Sequence, residues 1–291
     1  MKPPPFSYHR PETLEETLAL LAEHGSDASV LAGGQSLVPA LNLRLARPAH
    51  VIDINRISGL DRVEERDSST VVGAMVRQRA ALESPVVRER IPALAEALPR
   101  VGHPETRNRG TLGGSLVHND PAAEFATVAL ACDAEVVVVS SSRGERVARI
   151  AEFLVAPYTT AKEPDELVVE IRIPADDAGW GWAFDEISRR HHDFALVAVG
   201  VGLRVENGSI SDARLSYAGA GGTALRAPEA EQVLRGEAPS AEAFSAAAAH
   251  ASGELDPPSD VLASADYRRH VARELTKRAL ASAYARAKGE E

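Results

Sequence analysis

Apolar residues recur along this chain at two spacings, and the switches between them mark out the elements. Leu14, Leu18 and Leu21 fall on one helical face. Pro11 suits the opening turn of that helix, and Gly25 can end it. Residues 29–31 read as a short strand, 37–45 as a helix and 51–54 as a strand. A further strand is expected at 70–73, with helices over about 76–82 and 86–98. The polar stretch 102–119 reads as a long, ordered, functional loop. Asp120 and Pro121 then suit the N-cap and first position of another helix. Residues 134–140 and 167–173, the latter closed by Pro174, are buried-strand candidates.

Residues 176–179 look like a linker, and the pattern changes after them. Residues 180–187, 194–205 and 210–217 read as three strands, with Asn207-Gly208 as a hairpin turn between the last two. Residues 227–234, 241–252 and 265–287 read as helices. Strands followed by helices predict a smaller α+β unit at the C-terminal end.

Two glycine pairs stand out against this frame: Ala32-Gly33-Gly34-Gln35-Ser36 and Thr111-Leu112-Gly113-Gly114-Ser115. Such a pair lets the backbone approach a ligand closely and turn its N–H groups toward it. One pair alone is as readily a tight turn. Two of matched design, the first between a strand and a helix, point to a cradle for one long anionic ligand such as a dinucleotide. The GxGxxG fingerprint is missing, because the first segment lacks the third glycine, so a Rossmann site is not supported.

Other clusters carry weaker signals. His118, Asp120 and Glu124 have no common metal-site spacing. Asp120 or Glu124 could instead accept hydrogen bonds from ribose hydroxyls. His191-His192-Asp193-Phe194 is either a solvated loop or a loop over a ring system, with Phe194 offering an aromatic face. No serine or cysteine sits in a triad setting, so hydrolase chemistry has no specific support.

Composition narrows the classes further. Apolar residues make up 44% of the 291 and charged residues 25%, as in soluble globular proteins. A net charge of -10 argues against a nucleic-acid partner. The longest uncharged apolar run, 194–203, is too short to span a bilayer, and residues 1–5 do not resemble a signal peptide. Cytoplasmic residence is the default expectation. The single cysteine, Cys132, lies among apolar neighbours and reads as a buried structural thiol. An iron–sulfur cluster needs about four ligands, so any such cluster must sit on another chain.

Taken together, the motifs resemble the FAD-binding medium subunit of molybdenum hydroxylases, the group of aerobic carbon monoxide dehydrogenases and xanthine dehydrogenases. The matching segments are F-S-Y-H-R-P at 6–11, A-G-G-Q-S-L at 32–37, V-I-D-I-N at 51–55, V-V-G-A-M at 71–75, R-N-R-G-T-L-G-G-S at 107–115, N-D-P-A-A-E at 119–124 and E-I-R-I-P at 170–174. The resemblance implies an α+β chain. Its first part, 1–176, would be a two-part FAD-binding fold of the vanillyl-alcohol-oxidase (PCMH) type, with subdomains of about 1–55 and 56–176. A small C-terminal domain, 180–287, would follow, with a three-stranded antiparallel sheet and helices.

The resemblance also implies the cofactor contacts: Ala32, Gly33, Gly34, Gln35, Ser36 and Leu37 from the first loop, and Thr111, Leu112, Gly113, Gly114 and Ser115 from the second. Asp120, Glu124, Val168 and Phe194 complete the set. Some relatives have Tyr where this chain has Phe194, and xanthine dehydrogenase-like members carry a lysine near Asp185. The implied role is electron transfer, from [2Fe–2S] clusters on a small partner chain through FAD to an external acceptor. A large partner would carry molybdopterin, in a dimer of heterotrimers. No catalytic residue or metal ligand is expected on this chain. The alternative is a self-contained FAD-dependent oxidase or reductase with its own substrate.

Overall fold

The computed structural model describes residues 2–66, 68–176 and 179–289. Strand β1 (Ser7–His9), helix α1 (Leu14–His24), β2 (Ala28–Leu31), α2 (Leu37–Asn42) and β3 (His50–Asp53) form a first layer. Its three strands are all parallel, in the order β1-β3-β2. Helix α1 buries Leu18 and Leu21. Its cap is Thr13, whose hydroxyl accepts from the Glu16 N–H, so Pro11 lies outside the helix and does not open it. Gly25, at φ 50°, closes it as expected.

Next come β4 (Val63–Arg66), β5 (Ser69–Gly73), α3 (Gln78–Glu83), α4 (Pro85–Arg90) and α5 (Pro92–Ala97). The single helix expected over 86–98 is broken because Pro92 has no N–H and forces Ile91 out of helical geometry, to φ -137° and ψ 62°. The polar stretch 102–119 is not a loop. It folds into α6 (Pro104–Arg109) and α7 (Leu112–His118), the second capped by the Thr111 hydroxyl on the Gly114 N–H.

Helix α8 (Glu124–Ala131) follows, and its cap position is Ala123. Asp120 does not cap it: its carboxylate accepts from the Ala122 N–H in a local turn. Then come β6 (Glu135–Ser140), β7 (Gly144–Arg149), α9 (Ile150–Phe153), the β8–β9 hairpin (Leu154–Ala156 and Thr159–Thr160) and β10 (Leu167–Pro174). A five-stranded antiparallel sheet results, in the order β4-β5-β10-β6-β7.

The C-terminal part has β11 (Trp180–Ser188), β12 (Ala195–Glu206), β13 (Ser209–Ala218) and a short edge strand β14 (Leu225–Arg226) beyond the three expected. Asn207 and Gly208, at φ 51° and 80°, make the tight hairpin between β12 and β13. Of the expected linker 176–179, Asp177 and Ala178 lie outside the described residues. Helices α10 (Pro228–Leu234), α11 (Ala241–Glu254) and α12 (Ala265–Ala287) cover one face of the sheet. Every residue of α8 is buried, because it packs between the larger unit and strands β12 and β13. One hydrophobic cluster therefore runs from Leu94 and Phe125 to Trp182 and Phe184. Cys132 is buried in that cluster, and burial pushes its thiol pKa well up, which fits a structural residue.

Candidate cofactor-binding site

The two glycine segments, far apart in sequence, meet in space. Gly33 lies so close to the end of α6 that a Cβ there would sit 2.4 Å from the Arg109 carbonyl oxygen and 2.8 Å from Gly110 Cα. A Cβ on Gly114 would lie 3.7 Å from Ala32 Cβ. Side chains hold this contact together. The Asn55 amide donates to the carbonyls of Ala32 (2.8 Å) and Leu31 (3.3 Å). The Arg77 guanidinium donates to the Arg109 carbonyl and to Asn55 Oδ1. Asp53 fixes Asn55 in turn and accepts from the Tyr8 hydroxyl. The bridge runs from β3 through Asn55 and Arg77 to the segment before α7.

Between these segments lies a cavity of about 910 Å³. Ala32, Gly33, Gly34, Gln35, Ser36 and Leu37 line it from the first segment, and Thr111, Gly113, Gly114 and Ser115 from the second. Asp120, Glu124, Val168 and Phe194 line it as well. Leu112 does not: it is fully buried in the hydrophobic core, because the first turn of α7 turns it away from the cavity.

The two glycine pairs do different things. Gly34, at φ 74°, has a left-handed backbone that favours glycine. Gly113 is packed against β5: a Cβ would sit 2.6 Å from both Ala74 Cβ and the Ala74 carbonyl. Its smallness lets α7 press onto the sheet rather than clearing a path for a ligand.

The acids sit in unlike surroundings. Glu124 is buried, and that burial, with Glu186 and Asp120 adding to it, pushes its pKa up to about 8. Glu186 is likewise raised to about 7 by burial. Asp120 gives one oxygen to the Ala122 N–H, and its other lies 3.3 Å from the Tyr158 hydroxyl. Lys162 also lines the cavity; burial lowers its pKa, and its ammonium donates to the carbonyls of Glu163 and Glu166.

Phe194 lies just ahead of β12 at the cavity rim and is 71% exposed. Asp185 is bound by Arg278 at 2.7 Å and Arg100 at 3.8 Å.

Two cavity-lining residues bear buried polar atoms that no protein group satisfies: Gln78 Oε1 and His192 Nδ1. His192 also has a left-handed backbone, at φ 72°. A buried polar atom without a partner is costly unless a ligand or water completes it. A cavity of this volume, lined by both glycine segments, by Asp120 and Glu124 and by residues with such atoms, fits a large, polar cofactor such as FAD. Pattern singles out neither Arg77 nor Gln78, whereas His192 belongs to the His191-His192-Asp193-Phe194 cluster noted in the sequence. The D-I-N at the end of β3 carried the signal for Asn55.

Comparison with known proteins bears on the same features. The family model described as FAD binding domain in molybdopterin dehydrogenase matches residues 4–176. The model described as CO dehydrogenase flavoprotein C-terminal domain matches residues 182–283. The chain is 43% identical to the 6-hydroxypseudooxynicotine dehydrogenase complex subunit alpha of Paenarthrobacter nicotinovorans, over 99% of this chain and 97% of that protein. It is 39% identical to the carbon monoxide dehydrogenase medium chain of Hydrogenophaga pseudoflava, over 98% and 99%. A solved structure of the Hydrogenophaga pseudoflava carbon monoxide dehydrogenase lacking the Mo-pyranopterin moiety superposes with a TM-score of 0.95. That match is 41% identical and covers 98% of this chain and 99% of the other. Among the described residues, no helix is long and apolar enough to cross a membrane.

Proposed function

Because the chain belongs to the FAD-binding medium subunits of the molybdenum hydroxylases, we propose that FAD lies along this cavity with its diphosphate between the two glycine segments. The observation that carries this is that both glycine segments line one cavity, adjoining where Gly33 meets Arg109 and Gly110. The residues of the site are those that line it: Ala32 to Leu37, Thr111, Gly113 to Ser115, Asp120, Glu124, Val168 and Phe194. Leu112 supports the wall from behind.

Bound FAD supplies a centre that accepts electrons singly and delivers them in pairs. The chain's own residues hold and orient it. Backbone N–H groups of the first segment face the anionic diphosphate, while those of Leu112 to Ser115 already donate to Val76, Ala74 and Thr111, so the second segment contributes shape rather than backbone donors. The protonated carboxyl of Glu124 presents a donor without bringing a second negative charge beside that diphosphate. Phe194 offers an aromatic face at the rim, and Gln78 Oε1 is free to accept a hydrogen bond from the cofactor.

In this reading the [2Fe–2S] clusters lie on a small partner chain and molybdopterin on a large one, in a dimer of heterotrimers that resides in the cytoplasm. The lone, buried Cys132 supports that division. The domain division 1–176 and 180–287, with subdomains 1–55 and 56–176, is part of the same reading.

Ser36 gives a discriminating test. It occupies the cap position of α2 with no capping bond from its side chain. Ser36→Asp should therefore leave stability unchanged or raise it by up to about 1 kcal/mol. The same carboxylate beside the diphosphate should cut FAD affinity roughly 100-fold or more. Flavin content of the purified variant, with a urea melt of its apo form, reads both. Full flavin occupancy in Ser36→Asp would exclude this placement of the diphosphate.

A further inference from the structure

Away from the cavity, three histidines converge from three elements of the first layer. His9 ends β1, His24 ends α1 and His50 opens β3. His9 Nε2 lies 2.9 Å from His50 Nδ1. The rings of His24 and His50 stack at 3.6 Å with planes 8° apart, and His9 is 5.2 Å from His24 and 5.1 Å from His50, centroid to centroid. One ring nitrogen from each lies within 4.8 Å of the others. Among the described residues, this is the one set of three potential metal ligands so placed.

We infer that His9, His24 and His50 form a binding site for a divalent ion of the zinc class. Imidazole suits zinc and its late first-row neighbours. Metal–nitrogen bonds of 2.0–2.1 Å in a tetrahedral site set the ligand nitrogens about 3.3 Å apart. The His9 and His50 nitrogens, 2.9 Å apart, must part by about 0.4 Å, and the half-buried His24 ring, now stacked on His50, must turn its nitrogen toward them. Ligation requires each imidazole to offer an unprotonated ring nitrogen, so binding weakens as the pH falls. Binding requires the proton between His9 Nε2 and His50 Nδ1 to move to the other nitrogen of the ring that carries it, and water takes the fourth position. The ion would tie the end of α1 and the outer strand β1 to β3. Gly25 and Ser26, which follow His24 directly, line the cavity, so the ion would brace one wall of it. The inference does not depend on which ligand fills the cavity.

The test uses the full-length, tag-free chain, treated with EDTA and dialysed. Zn²⁺ is titrated by calorimetry and by competition with a chromophoric chelator. One ion per chain is expected, with affinity falling about 100-fold or more in His24→Gln and in His50→Gln and unchanged in His250→Gln on α11. X-ray absorption at the zinc edge of the wild-type protein should show a shell of nitrogen and oxygen at about 2.0 Å with imidazole scattering. That spectrum decides the matter even if a variant does not fold. Absence of saturable binding, a shell without imidazole, or full affinity in both folded His24 and His50 variants would overturn the inference.

Discussion

Gly33→Ala puts one methyl group between the two walls of the proposed FAD site. The backbone of Gly33 is not left-handed, so the substitution adds no torsional strain. It adds only volume, with the new carbon 2.4 Å from the Arg109 oxygen, 2.8 Å from Gly110 Cα and 3.0 Å from the Arg109 carbonyl carbon. Ordinary contacts begin near 3.5 Å, so the α6–α7 segment must retreat by about 1 Å. It cannot do so freely, because the Arg77 guanidinium holds the Arg109 carbonyl and also Asn55, which in turn holds Ala32. Overpacking of this kind costs about 1–3 kcal/mol of stability. Parting the walls should also weaken FAD binding by about 2–3 kcal/mol, or roughly 30- to 150-fold. Flavin fluorescence quenching gives the dissociation constant, and urea melts of the apo protein give the stability. Gly253→Ala on α11, where a Cβ meets nothing within 4 Å, is the control and should stabilise by a few tenths to about 1 kcal/mol. Wild-type FAD affinity in Gly33→Ala would show that the contact between the segments does not shape the site.

Three further outcomes follow from the same geometry. Glu124, raised from 4.5 to about 8 by burial, favours the fold while protonated, so its contribution is whole below pH 4.5 and is lost as the pH rises through about 8; Glu124→Gln should flatten that arm of the apo protein's melting temperature between pH 5 and pH 9, and an unchanged slope would refute the assignment. Thr111→Val removes the cap of α7 and should cost about 1 kcal/mol, seen as a lower denaturation midpoint. Arg268, buried on α12, donates to the carbonyls of Leu196 and Gly219 and to Asp260; Arg268→Met should cost about 2 kcal/mol or more while leaving the FAD affinity of the folded fraction intact, as flavin titration can check.

Much of this layout was legible because it rests on local rules. The Leu14–Leu18–Leu21 face, the Asn207-Gly208 turn and the helix over 265–287 each depend on neighbours in sequence. The paired glycine segments stand out for the same reason, and both line one cavity. The failures have physical causes. Helices α6 and α7 are six and seven residues long, too short to display a period, and their polar surfaces imitate a loop. Pro92 divides an apolar run that otherwise reads as one helix. Asp120-Pro121 has the form of a cap, yet the helix begins three residues later, at Glu124. Short or polar strands such as β1, β4 and β7 carry no alternation strong enough to detect. Gly113 looked like a residue that clears space for a ligand, whereas its neighbour is Ala74, a long-range contact that sequence cannot display. The Asn55–Arg77 bridge escaped for the same reason, since its bonds join residues 22 to 32 positions apart.

The buried helix α8 makes the two family domains mechanically one body. The hydrophobic cluster that surrounds it draws on Leu94 and Phe125 from one side of the boundary and Trp182, Phe184 and Ala198 from the other. Cutting the chain near residue 176 would leave the mostly apolar face that α8 turns to β12 and β13 in water, so neither half is a portable module. The cavity shares its wall with this seam, through Glu124 at the first turn of α8 and Phe194 just ahead of β12. Any opening between the two domains would therefore also unpack this hydrophobic cluster. The shape of the cavity is thus tied to the packing between the domains, and a substitution in the seam reaches the site through Glu124 and Phe194.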